Sequence, residues 1–295
     1  MEDKSIILNN NIKMRYLESK EVDHVSNKHI LFIHGLGSSA DRWLDIPDAL
    51  SKYYHTIAVD LIGFGESDKP SDINYTIEKF AEFLLEFINK KGINGDDGKI
   101  TLLGHSLGGY IAVEFAIRNK KLIEKLVLID SSGFLKGPTP LLEQYLHAAK
   151  NTSYDNVRSV FEQIVSQPWK VLPAVINGFI TRINLPGAKY AFESAYKNST
   201  TTQIDMSRLK SIERIPTLII WGKADVLIPI EYSDPFKQVL NNYKFEIIED
   251  AGHAPFSEKP AFICEILHTF FLSLVSWHFN FLRQSRTDYL VFLHL

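Results

Sequence analysis

Short, near-continuous apolar runs recur along the chain at residues 6–8, 30–33, 56–59, 100–103, 126–129, 218–221 and 245–248, with longer segments of mixed polarity between most of them. Runs of this kind read as strands buried on both faces, and their alternation with helices predicts a parallel sheet. Residues 76–91 place Ile77, Phe80, Ala81, Leu84 and Ile88 at helical spacing, so an amphipathic helix is expected there. Gly92 and the cluster Asn94-Gly95-Asp96-Asp97-Gly98 then break the chain before the next strand. From Gly133 to Leu209 the alternation lapses. Residues 138–149, 153–166, 170–181 and 187–197 carry helical patterns separated by Gly, Pro, Ser or Asn, with no strong strand among them. The pattern predicts an α/β core in two parts, 1–132 and 210–276, interrupted by a helical insertion over 133–209. An extension, 277–295, follows the last helix, expected over 259–274. Its apolar runs fall short of the roughly 20 residues that a membrane helix needs.

The fourth run enters Gly104-His105-Ser106-Leu107-Gly108-Gly109, and a helix-patterned segment, 110–118, comes next. Strand, tight turn and helix form the context of a nucleophile elbow, whose central serine takes a strained backbone and stands free above the sheet. Glycines on either side are needed because a Cβ there would collide with a neighbouring element. After the sixth run, Gly222-Lys223-Ala224-Asp225 supplies a carboxylate, and after the seventh, Ala251-Gly252-His253-Ala254-Pro255 supplies an imidazole. Taken singly, such an Asp is a turn former and such a His a surface residue. Their order after the serine makes Ser106, Asp225 and His253 a candidate catalytic triad. Acyl transfer also needs backbone N–H donors aimed at the developing oxyanion. The run 30–33 opens into His34-Gly35-Leu36-Gly37-Ser38-Ser39, so the amides of Leu36 and Leu107 are the candidate donors.

His34 to Gly37, Asp60 to Ser67 (Asp-Leu-Ile-Gly-Phe-Gly-Glu-Ser), Gly104 to Gly109, Trp221 to Asp225 and Gly252-His253 together resemble the α/β-hydrolases of the lid-bearing esterase/lipase type. The resemblance extends over nearly the whole chain, to about Leu274. It implies a mostly parallel eight-stranded sheet with helices on both faces and an inserted helical cap. It also implies a serine hydrolase that cleaves carboxylic esters through an acyl-enzyme. Some relatives carry the triad acid where Asp130 closes the run 126–129, so Asp130 competes with Asp225; the loop of Asp225 matches the usual place after the seventh strand. Relatives that open epoxides or remove halides need an aspartate at the elbow, and Ser106 argues against both. Carbon–carbon bond hydrolases share the serine triad but typically carry Trp after the histidine, where this chain has Ala254. Lactonases, perhydrolases and ligand-sensing receptor-hydrolases use the same residues.

Length and charge narrow the rest. A chain of 295 residues with 45% hydrophobic content suffices for one large core and an insertion. A net charge of −3 gives no electrostatic case for nucleic acid. Met1-Glu2-Asp3-Lys4 lacks the basic and apolar regions of a signal peptide, so a cytoplasmic protein is expected. The single cysteine, Cys264, excludes an intramolecular disulfide and is expected in the core of the last helix. The ten histidines show no metal-ligand spacing, and no metal or cofactor is expected; the partner would be a small-molecule ester. The insertion carries Tyr145, Tyr154, Phe161, Trp169, Phe179, Tyr190, Phe192 and Tyr196, read mainly as packing residues. Oligomeric state has no indicator in the sequence.

Overall fold

The computed structural model describes residues 1–20, 26–43, 45–93 and 98–272. Its strands are β1 (Glu2–Ile7), β2 (Lys13–Glu18), β3 (Ser26–Ile33), β4 (Tyr54–Val59), β5 (Ile100–His105), β6 (Ile123–Ile129), β7 (Thr217–Gly222) and β8 (Tyr243–Ile248). They form one sheet in the order β1-β2-β4-β3-β5-β6-β7-β8. β2 runs antiparallel to both of its neighbours, and every other pairing is parallel. The helices are α1 (Asp45–Leu50), α2 (Ile77–Lys91), α3 (Leu107–Arg118), α4 (Pro140–Lys150), α5 (Tyr154–Ile164), α6 (Pro173–Ile183), α7 (Ala188–Thr201), α8 (Met206–Leu209), α9 (Asp234–Val239), α10 (Pro255–Glu258) and α11 (Pro260–Leu272).

The continuous apolar runs are explained by burial on both faces of the sheet. Along β3, Leu31 and Ile33 join one core cluster with residues of α2 and α3. Ile30 and Phe32 face the other way, into a second cluster with α1 and α11. The amphipathic helix forms at α2, where Thr76 Oγ1 accepts from the Lys79 amide at 3.1 Å and Gly92, at φ 71°, ends it in the left-handed region.

Seven of the eight strands coincide with the apolar runs. β2, Lys-Met-Arg-Tyr-Leu-Glu, does not, because its charges mask its burial. Arg15 reaches Asp3, Asp41 and Asp60, while Glu18 pairs with Lys4 and Lys91, so both charges are compensated inside the fold. A charged hexapeptide therefore sits between β1 and β4 as an ordinary member of the sheet.

Five helices, α4 to α8, lie between β6 and β7 in the chain, with no strand among them. Thr139 and Ser153 cap α4 and α5 by accepting from the amides of Leu142 and Asn156. The last helix, expected over 259–274, forms as α11, and the short α10 precedes it across a break at Lys259. Cys264 is half-buried at the edge of the second cluster, not in its interior as the sequence suggested, because the buried stripe of α11 runs through Ile263, Ile266, Leu267, Phe270 and Phe271. The extension 277–295 lies outside the described residues. Among the described residues, no helix is long and apolar enough to cross a membrane.

Candidate active site

The turn from β5 into α3 has the elbow geometry its sequence requires. Ser106 sits at φ 54°, ψ −121°, a strained conformation for a residue with a side chain. Its amide continues the sheet ladder by donating to Ile129 O at 3.0 Å, and the helix begins at the next residue. A Cβ at Gly104 would lie 2.3 Å from Gly108 O, and one at Gly108 would lie 2.2 Å from Ile33 O. Both obstacles are backbone, so neither could yield.

The loops after β7 and β8 bring Asp225 and His253 together. His253 Nδ1–H donates to Asp225 Oδ2 at 2.7 Å, with both side chains buried. The other carboxylate oxygen of Asp225 accepts from the amides of Leu227 and Ile228 at 2.8 and 2.9 Å. Asp225 thus turns its own loop and orients the imidazole at once. Ser106 and His253 line the same cavity, of about 350 Å³. Leu36 also lines it, whereas Leu107 is buried at the first turn of α3, where helix amides lack intrahelical acceptors.

Three residues that hold this arrangement had little signal in the sequence. His105, the variable residue of the elbow, donates from Nε2 to the carbonyl of His253 at 2.6 Å, and the two rings lie 4.7 Å apart. Burial, reinforced by His253, pushes His105 well below the usual histidine range, so it is neutral. Glu258 accepts from the Gly252 amide at 2.8 Å through one oxygen. Its other oxygen accepts from Ser166 N and Oγ at 2.9 and 2.7 Å. The His253 amide itself donates to Ile164 O, the last residue of α5, at 2.8 Å. Finally, Tyr145 on α4 donates its hydroxyl to Leu36 O at 3.0 Å, tying the insertion to the candidate oxyanion loop. Gly252 is six residues from Glu258 in sequence, but Ser166, its other partner, is 92 residues away.

Asp130, the rival acid, is adjacent but differently placed. It is buried at the end of β6 with φ 44°, and its Oδ1 accepts from the Gly222 amide at 2.8 Å. Burial, then the charge of Asp225, raises its pKa well above the usual carboxylate range, so Asp130 is the neutral member of the pair. Donor atoms of Asp130, Asp225 and His253 lie within 4.8 Å of one another, a proximity that sequence spacing did not reveal. Those of Asp225 are engaged by His253 and two amides, so a cation there would have to break the Asp225–His253 bond.

The insertion forms the other wall of the cavity. Of the eight aromatic residues from Tyr145 to Tyr196, Tyr145, Phe161 and Phe179 line the space. Phe192 and Tyr196 are packed in the core, and Tyr154, Trp169 and Tyr190 are exposed.

Comparison with known proteins agrees with this architecture. The chain is 30% identical over 265 residues to Lipase 3 of Moraxella sp. (strain TA144), covering 88% of this chain and 81% of that protein. It is 26% identical over 259 residues to the 2-hydroxy-6-oxo-6-(2'-aminophenyl)hexa-2,4-dienoic acid hydrolase of Metapseudomonas resinovorans, covering 84% of each. The meta-cleavage product hydrolase of Pseudomonas fluorescens IP01 superposes with a TM-score of 0.81 at 22% identity, over 91% of this chain and 97% of that one, a likeness of fold. The family model described as alpha/beta hydrolase fold matches residues 28–260. With that match and the sheet order above, this chain is a hydrolase belonging to the alpha/beta hydrolase fold family.

Proposed function

We propose that this protein hydrolyses carboxylic esters through a Ser106–His253–Asp225 triad and an acyl-enzyme. The observation that carries the reading is the 2.7 Å bond between His253 and Asp225 at the cavity into which the strained Ser106 elbow opens. His253 takes the proton of Ser106 as its oxygen attacks the ester carbonyl. Asp225 fixes the tautomer with Nδ1 protonated, leaving Nε2 free to accept, and stabilises the imidazolium that forms. The amides of Leu36 and Leu107 receive the oxyanion. The alcohol leaves with the proton from His253, and water then attacks the acyl-enzyme by the same route. Residues 133–209 serve as the cap that encloses the acyl group, and Tyr145, Phe161 and Phe179 supply its apolar wall.

Carbon–carbon bond hydrolysis is the second reading, supported by the Metapseudomonas relative at 26% identity. Hydrolysis of p-nitrophenyl acetate, butyrate, octanoate and palmitate by wild type and Ser106→Ala separates the two. Ester turnover that is lost in the variant is the expected result. Equal release of nitrophenol by both proteins would overturn the ester assignment.

A further inference from the structure

The cavity above Ser106 is walled mainly by apolar residues, yet two guanidiniums enter it. Arg42, in the short turn before α1, approaches from the sheet side, and Arg182, near the end of α6, comes from the insertion. The Nε of Arg182 is buried without a hydrogen-bond partner. Arg42 makes one hydrogen bond, from Nη2 to Ser257 Oγ at 3.2 Å. Among the described residues, neither arginine has an ion-pair partner. Arg15, Arg118, Arg158 and Arg208 each hold a carboxylate, and Arg214, the other described arginine without one, is exposed to water.

The acids nearby do not fill the gap. Asp41 is engaged by Arg15 and by Ser39 Oγ. Glu258 is engaged by Ser166 and Gly252, and Asp45 is exposed. Burial pushes the Arg42 guanidinium below its usual range, and the charge of Arg182 adds to the shift. Two like charges facing one partly closed space are costly to each other unless an anion lies between them. The backbone also makes room for one of them: a Cβ at Gly178, one turn before Arg182, would lie 3.2 Å from Arg182 Nη1.

We propose that Arg42 and Arg182 form an anion subsite that selects substrates whose non-reacting end carries a carboxylate or a phosphate. Guanidinium forks match the paired oxygens of either group. The subsite deepens the ester-hydrolase reading and rests on it, since the selected molecule would present its ester to Ser106 in the same cavity. Its contribution is to orient that molecule, with no part in bond making.

The test compares kcat/KM for mono-p-nitrophenyl glutarate and for neutral p-nitrophenyl butyrate. Wild type should prefer the charged ester. The charged-to-neutral ratio should fall about ten-fold in Arg182→Gln and in Arg42→Gln, and further in the double variant, as loss of charge-assisted hydrogen bonds dictates. Arg182→Lys, which keeps the charge, should retain part of the preference. A ratio unchanged in both single variants, whatever happens to the separate rates, would overturn the subsite.

Calorimetric titration of folded Ser106→Ala with monobutyl glutarate and with monobutyl phosphate tests binding without turnover. The tighter of the two identifies the anion. Adding Arg182→Gln or Arg42→Gln should weaken it about ten-fold, by the same loss of charge-assisted hydrogen bonds. Absence of binding by both anions overturns the subsite. Arginine-dependent binding in a protein that hydrolyses neither ester would sink the ester reading and leave the subsite standing.

Discussion

The two walls of the cavity are built on opposite principles. The sheet-side wall is made of strand ends whose polar groups are nearly all engaged. Asp225 accepts from two amides and from His253, and His105 donates to the carbonyl of His253. His34 donates to Gly35 O and accepts from the Leu61 amide. The insertion-side wall is apolar and aromatic, with Tyr145, Phe161 and Phe179 packed edge to face or tilted, and the Nε of its Arg182 has no hydrogen-bond partner among the described residues. One wall fixes atoms in place and the other shapes a volume. Substitutions on the first should therefore stop chemistry, while those on the second should redirect it or loosen the fold.

The largest contrast is expected at the nucleophile. Ser106→Ala should lower kcat at least about a thousand-fold on any ester the enzyme accepts, read by nitrophenol release. The two neighbouring carboxyls sharpen the comparison further. Asp225→Asn should cost about a hundred-fold or more in kcat, since the amide cannot stabilise the imidazolium and favours the wrong tautomer. Asp130→Asn should cost less than about five-fold, because Asp130 is already neutral and its bond to Gly222 survives in the amide. The reverse order would move the acid to the end of β6.

On the other wall, Phe179→Ala removes a buried ring that touches the cavity and packs on Tyr145 and Phe192. It should destabilise the fold by about 3 kcal/mol, measured by urea denaturation, and shift the preferred acyl chain to a longer one.

The smallest effect is a change in the pH dependence of stability. The folded state keeps a proton on Asp130 that the unfolded chain releases near the ordinary value of 3.8. The native state therefore binds more protons, and stability from this group falls as pH rises from that value through the raised folded one. Asp130→Asn removes this slope. Relative to wild type, the variant should be more stable at about pH 8 than at about pH 5, and parallel urea midpoints would contradict the neutral assignment.

What could be read in advance follows the same division. The strands, the elbow and the loops holding Asp225 and His253 were legible because each is local: an apolar run, then glycines, then a reactive side chain. The helical character of residues 133–209 was visible too, from spacing and from the Gly, Pro, Ser and Asn that separate its segments. β2 was hidden because Arg15 and Glu18 are neutralised by residues distant in sequence. Glu258, His105 and the choice of which aromatics face the cavity were hidden for the same reason. Their meaning lies in partners that only the folded chain supplies.

The loop of His253 is suspended from two supports. His105 holds its carbonyl from the elbow, while Ile164 and, through Glu258, Ser166 hold it from the far end of α5. An imidazole hung in this way shares one mechanical coordinate with the helix that anchors it. Tilting α5 outward would draw the base away from the serine, so a gaping enzyme would be a disarmed one, and water entering before substrate would meet no aligned base.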